Sequence, residues 1–193
     1  MTNSPASKRD RLVDGARRVV FERGIEASTL AEVAEAAEVP LGNVYYYFKT
    51  KDDLVAAVIQ AHSNEIQSRL ADLDTLPTPA ERLRALASAA ADASEETARK
   101  GCAQGAICQE LAKRDDDLGR HATKMIALVV DWAQEQFRRL GRHDSRDLAV
   151  SLVASIQGAA LVASSLRDPN VLVRQANQLA AWIDEIALTA QTD

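Results

Sequence analysis

The sequence predicts an all-α protein of about nine helices, a head of three short helices joined to a larger helical body. Three observations predict it. Apolar residues recur at three- and four-residue intervals along most of the chain, with no alternating strand pattern of useful length. Capping-box pairs stand where helices should begin, Thr29 with Glu32 and Thr50 with Asp53. Gly24, Gly141 and the Asp168-Pro169-Asn170 stretch stand where helices should end.

The first helix is expected over Ser7 to Arg23, with Leu12, Ala16, Val19, Val20 and Phe21 on one side and arginines on the other. The second starts at Thr29 and turns Leu30, Val33, Ala34 and Ala37 inward. Pro40 suits the first turn of a short third helix, where the missing N–H costs nothing. A fourth, from about Lys51 to Asp72, carries Leu54, Val58, Ala61, Ile66 and Leu70 and is interrupted by the LPTP stretch at Leu76 to Pro79. The body continues with helices over about Ala80 to Arg99, Ala103 to Lys113, Asp116 to Leu140, Ser145 to Leu166 and Val171 to Ala190. Asp115, Asp116 and Asp117 suit the positive end of the third of these. The domain division expected is residues 1–50 and 51–193.

Composition sets limits. The chain has 193 residues, 47% hydrophobic and 26% charged, which is the profile of a folded globular protein. No uninterrupted apolar run approaches the roughly 20 residues that span a bilayer, and MTNSPASKRDR lacks a signal peptide's apolar stretch, so no membrane association and a cytoplasmic location are expected. Cys102 and Cys108 lie six positions apart, about 9 Å on a helix and beyond disulfide reach. The net charge of −5 conceals an asymmetry: residues 1–51 hold eight lysines and arginines against seven acids, whereas the remaining fifteen face twenty-one. A weakly basic head is joined to an acidic body.

Three short helices with a tight turn between the second and third have the plan of a helix-turn-helix unit, whose third helix enters the DNA major groove. In Val39 to Phe48, VPLGNVYYYF, the spacing puts Leu41, Val44 and Phe48 on the anchoring face, Pro40, Gly42, Asn43, Tyr46 and Tyr47 on the outer one, and Tyr45 at the boundary. A phenol packs its ring on sugar and base methyls while its hydroxyl donates to phosphate. Gly42 lets the backbone approach a base edge, and Asn43 offers a bidentate contact to adenine. Lys51 joins a cation to a helix N-terminus, and Thr29 presents the same kind of helix end.

Thr29 to Leu54, TLAEVAEAAEVPLGNVYYYFKTKDDL, resembles the N-terminal domain of TetR-family transcriptional regulators, closely over about residues 8–58. The resemblance implies phosphate contacts at Thr29, Tyr46, Tyr47 and Lys51 and base-reading positions at Pro40, Leu41, Gly42 and Tyr45. Tyr47 stands where the family often has histidine, and Pro40 where it often has serine or threonine. The resemblance further implies a homodimeric repressor, paired through a four-helix bundle, that leaves a palindromic double-stranded DNA operator when a small-molecule effector binds the body. Faces suited to pairing are Leu148, Leu152, Ile156, Ala159, Ala160, Ala163 and Leu166, then Leu172, Ala176, Leu179, Ala180, Ile183 and Ala187, with Gly158 at a close crossing or beside the effector. Candidate effector-lining residues are His62, Gln104, Cys108, Gln109, Met125, Leu128, Trp132, Gln157 and Leu161.

Two alternatives remain at the level of sequence. Cys102, near a helix N-terminus with Lys100 close by, has a setting that favours a reactive thiolate, and some family members with a similar Gly-Cys sense oxidants or electrophiles. A regulator without a ligand is the other. Catalysis is not expected, because the chain has no phosphate-cradling glycine loop, H-E-x-x-H or nucleophile elbow. Nor is a cofactor or metal, since His62, His121 and His143 show no close-paired ligand spacing with the cysteines.

Overall fold

The structure, a computed structural model, describes residues 7–189. These residues form ten α-helices and no strand: α1 (Lys8–Arg23), α2 (Leu30–Ala36), α3 (Leu41–Tyr47), α4 (Lys51–Leu73), α5 (Pro79–Asp92), α6 (Ser94–Lys100), α7 (Ala103–Leu111), α8 (Asp117–Arg139), α9 (Ser145–Leu166) and α10 (Asn170–Thr189). The helix expected over Ala80 to Arg99 is divided at Ala93, which leaves helical geometry with no glycine or proline to announce it.

The helix ends follow local chemistry. Thr29 Oγ1 accepts the Glu32 N–H at 3.2 Å while the Glu32 carboxylate accepts the Thr29 N–H at 2.9 Å. The same reciprocal pair occurs at Thr50 and Asp53 and at Thr78 and Glu81, with Pro79 opening α5. Two of the four orphan N–H groups at a helix start are satisfied in this way. Of Asp115, Asp116 and Asp117, Asp116 is the cap of α8, accepting the Gly119 N–H at 3.0 Å. Gly24 ends α1 with φ +84, a backbone that other residues rarely adopt.

The described residues form two compact units, 7–65 with 106–125 and 66–105 with 126–189. The boundary expected at residue 50 falls just before α4, whereas the compact units divide within α4, between Glu65 and Ile66, and a later segment, 106–125, joins the first unit. In the first unit α1 crosses α2 closely. A Cβ on the buried Gly15 would lie 3.0 Å from the Ala37 side chain and backbone N. Leu12, Val33, Val44, Phe48, Val58 and Ile59 fill the space beneath.

The second unit is built on α5, α8, α9 and α10, around Leu83, Ala133, Phe137, Ala149, Leu152 and Ile183. Phe137 meets Trp182 edge-on, ring centroids 5.8 Å apart. The connection from α4 to α5 is fixed by Asp74, whose carboxylate accepts from Trp132 Nε1 at 3.1 Å and from Gln136 Nε2 at 3.4 Å. Arg82 adds a bond to the Leu76 carbonyl at 2.9 Å. Gln136, nearly inaccessible, is therefore a paired core amide.

The residues expected to pair two chains need revision. Leu152, Ala159, Ala160, Ala163, Leu172, Ala176, Leu179 and Ile183 are buried inside the single chain. The outward face of α9 keeps Leu166 and Gly158 of the expected residues and adds Val150, Ala154, Leu161 and Val162, and α10 adds Val173. By length and composition α9 is apolar enough to cross a membrane, although serines and Gln157 interrupt its apolar runs. Its inner side packs on the core, and both sides are apolar.

Candidate functional site

The outer surface of the first unit is built by α3. The α2–α3 turn passes through Glu38 at φ 54, and Val39 returns an N–H to the Ala34 carbonyl at 2.9 Å. Val44 and Phe48 are buried and hold α3 to the head as expected. Leu41, expected beside them, is 42% exposed, because as the first residue of α3 it lies at the edge of the contact with α2. Pro40, Gly42 and Tyr45 are also exposed, and Asn43 is half-buried.

Tyr46 is 73% exposed and meets Tyr47 edge-to-face with ring centroids 4.9 Å apart. The four residues expected to grip phosphate are Thr29, Tyr46, Tyr47 and Lys51. The Thr29 hydroxyl is engaged with Glu32, donating to its carboxylate at 2.8 Å, and Lys51 Nζ donates to the Glu26 carbonyl at 2.8 Å. An ammonium has three donors, so Lys51 keeps capacity for a second acceptor. Hydrogen bonds from Thr29 hold the Glu32 carboxyl below its ordinary range, with Arg23 adding to the effect. The stretch from α1 to α2 is held further by Glu110 of α7, whose two oxygens accept the N–H groups of Ile25 and Glu26 at 2.8 and 2.7 Å. Sequence reasoning missed Glu110, for nothing local marks a partner 85 residues away.

The cationic side chains of the first unit are mostly engaged with the fold. Arg18 donates to the Ala36 carbonyl, Arg23 pairs with Glu32, and Arg9 lies 5.4 Å over the Phe48 ring. Arg114 spans Asp52 and Asp116 at 2.7 and 2.6 Å, which raises its own pKa, while Asp116 is lowered first by the Gly119 N–H and then by Arg114.

The second unit encloses an apolar cavity of about 200 Å³, walled by α4, α5, α8, α9 and α10 and by the segment from Thr97 to Gln104. Of the nine candidate lining residues, Gln104 and Gln157 are in its wall. Leu161 faces away, 57% exposed, on the outer side of α9. Trp132 is held by Asp74, and Leu128, half-buried, is not in the wall. The other four belong to the first unit: Met125 is fully buried there, Cys108 donates to the Ala122 carbonyl at 3.3 Å, Gln109 is exposed, and His62 Nδ1 lies 3.9 Å from Glu65.

Cys102 also lines the cavity, and its sulfur accepts the Gly105 N–H at 3.5 Å, which makes it the N-cap of α7. Lys100, expected beside the thiol, pairs instead with Glu96 at 3.7 Å. No cluster of metal-ligating side chains occurs among the described residues. Most of the wall lies outside the candidate set, including Arg69, the one charged wall residue among those described, between the apolar markers Ile66 and Leu70 of α4.

Comparisons with known proteins agree with this architecture. Residues 12–58 match the family described as bacterial regulatory proteins, tetR family, and residues 79–178 match the C-terminal domain of LmrA/YxaF-like transcriptional regulators. The chain is 34% identical over 117 residues to the HTH-type transcriptional repressor KstR2 of Mycolicibacterium smegmatis, covering 60% of this chain and 55% of the relative. It is 26% identical over 165 residues to the HTH-type transcriptional repressor DhaR of Mycobacterium sp., covering 79% and 80%. The chain spans about half the length of the KstR2 relatives it matches. The crystal structure of a TetR transcriptional regulator from Legionella pneumophila superposes with a TM-score of 0.82 over 95% of this chain and 98% of its own, at 20% identity. With one family match on the head and another on more than half of its length in the body, the chain belongs to the TetR family of bacterial regulatory proteins.

Proposed function

We propose that this protein is a DNA-binding transcriptional repressor that acts as a homodimer in the cytoplasm and leaves its operator when a small molecule occupies the cavity of the second unit. The observation that carries the reading is the outward face of α3. Three consecutive tyrosines stand exposed there, on a helix anchored by the buried Val44 and Phe48. Exposed aromatic area of this kind is costly in water and useful against sugar, base methyls and phosphate.

Tyr46, Tyr47, Lys51 and Thr29 serve phosphate, and Pro40, Leu41, Gly42, Asn43 and Tyr45 face the bases. Pro40 and Leu41 are apolar, so the helix seats itself through phosphate contacts and reads few base edges by hydrogen bonding. With so many head cations engaged internally, one copy neutralises few phosphates and binds weakly. Pairing two copies offsets this, and the outward side of α9 supports it. Val150, Leu161, Val162 and Leu166 flank Ala154 and Gly158, where no side chain blocks a close approach and a Cβ on Gly158 would meet nothing within 4 Å.

The cavity supports ligand response, being apolar, enclosed by several helices and edged by a few polar groups. A ligand shifts DNA affinity only by its differential affinity for two states of the chain. The test is a promoter-fragment binding assay using the intergenic regions next to the gene, with Tyr46→Ala/Tyr47→Ala as control. Retarded binding that the double variant loses supports the reading. Failure of every such region to bind sinks it.

A further inference from the structure

We propose that the cavity selects a small apolar monoanion, a carboxylate on a short hydrocarbon, and that Arg69 is the residue that recognises its charge. This rests on the reading of the cavity as the effector site and names the chemical class of the effector. Ile66, Arg69, Leu70 and Leu73 all line the cavity from α4, at the three-, four- and seven-residue spacing of one helical face. Ile66 and Leu70 are buried. Arg69 puts a guanidinium at the water-facing edge of this stripe, where a bound ligand's charged end can meet it.

The fold gives Arg69 no partner among the described residues. Glu65, one turn earlier on α4, has its carboxylate taken by Arg17 at 2.6 Å. Among the described residues no aspartate or glutamate lines the cavity, and Arg69 has no ion pair or side-chain hydrogen bond. The cavity therefore carries a single positive charge against apolar walls formed by Leu86, Val129, Val153, Ile156 and Leu172. Arg69 is itself exposed, which puts it where the cavity meets water.

The polar groups that remain fit the same ligand. The Cys102 sulfur is occupied by the Gly105 N–H, and the Gln157 carboxamide lies against α7 at Gly105, where an added Cβ would be 3.0 Å from its oxygen. Gln157 has no hydrogen-bond partner among the described residues, so it too is available to an acceptor. A planar guanidinium receives a carboxylate through two parallel bonds, which an alcohol or an amine does not reproduce. The volume of about 200 Å³ is below the roughly 300 Å³ at which drug-sized ligand sites begin, so the hydrocarbon is short.

The experiment titrates the full chain calorimetrically with octanoate, octan-1-ol and octylamine, then repeats the series with Arg69→Gln and Arg69→Lys. Octanoate should bind about tenfold or more tightly than octan-1-ol, a preference that salt weakens because Arg69 is exposed. Arg69→Gln should abolish the preference while leaving octan-1-ol binding unchanged, and Arg69→Lys should keep part of it. Equal binding of the acid and the alcohol overturns the proposal, as does an unchanged preference in Arg69→Gln or no saturable octanoate binding at millimolar concentration. If Arg69→Gln does not fold, the wild-type ranking of the three probes and the Arg69→Lys result decide. Parallel DNA-binding measurements separate the two claims. Arg69-dependent octanoate binding that leaves DNA affinity unchanged sustains the carboxylate site and contradicts the effector reading, whereas release by octan-1-ol alone does the reverse.

Discussion

Glu110 closes over the backbone that follows α1, accepting the Ile25 N–H at 2.8 Å with one oxygen and the Glu26 N–H at 2.7 Å with the other. Both donors lie just past the end of α1, where the helix ladder no longer serves them. Gln at this position keeps one acceptor and turns the other into a donor that faces an N–H. Glu110→Gln should therefore cost about 1 to 3 kcal/mol in thermal or urea unfolding, most of it from the unpaired N–H.

Gly15 is where α1 and α2 cross. Gly15→Ala would place its Cβ 3.0 Å from the Ala37 Cβ and backbone N and 3.1 Å from the Val33 carbonyl oxygen, none of which can move without shifting α2. Overpacking of this kind costs about 1 to 3 kcal/mol. The helix propensity gained from alanine offsets less than that, so the midpoint of unfolding should fall.

Tyr46→Phe keeps the ring that meets Tyr47 edge-on and removes only a hydroxyl that bonds to nothing among the described residues. Unfolding should be unchanged within error, while affinity for a specific DNA fragment should fall about tenfold if that hydroxyl donates to phosphate. Measuring both on one preparation separates a DNA contact from a folding defect.

Leu161 is 57% exposed on the outer side of α9. Leu161→Asp should leave the far-ultraviolet circular dichroism of the chain intact and shift sedimentation from dimer to monomer. Ala160→Asp, one residue away and buried, should instead unfold the second unit.

Acid should loosen the chain at identifiable carboxylates. Hydrogen bonds from Arg138 and then Arg139 bring Glu135 from 4.5 to about 2, and those from Thr29 lower Glu32. A carboxylate whose folded pKa is depressed contributes stability that is complete above its unfolded pKa and is lost as pH falls through the folded one. Stability should thus hold down to about pH 4.5 and decline toward pH 2, and Glu135→Gln should flatten that decline. Urea unfolding midpoints across this range check it.

Much of the architecture is legible in the sequence because it is local. Thr29 with Glu32, Thr50 with Asp53, and Gly24 act within one turn, and the structure has each helix end where those residues stand. The break at Ala93 is not legible, since an alanine-rich run gives no sign of where its helix bends. Sidedness fails on α9 for a physical reason. Both of its faces are apolar, so periodicity identifies a helix without deciding that Leu152 and Ala163 go inward and Val150 and Leu166 outward. The cavity wall was half-hidden in the same way. Of the candidate lining residues Gln104 and Gln157 lie in the wall, Trp132 and Met125 belong to packing, and Arg69 looks in sequence like any surface charge.

The central claim is that this head binds DNA specifically and as a pair. The most direct measurement is a fluorescence-anisotropy titration of a labelled fragment from the promoter region beside the gene, repeated over a series of salt concentrations against a scrambled fragment of equal length. Specific binding by a pair should show as two chains per fragment, tighter binding to the promoter fragment than to its scrambled control, and an affinity that falls steeply as salt rises. Equal affinity for the two fragments, or binding that is indifferent to salt, would contradict it.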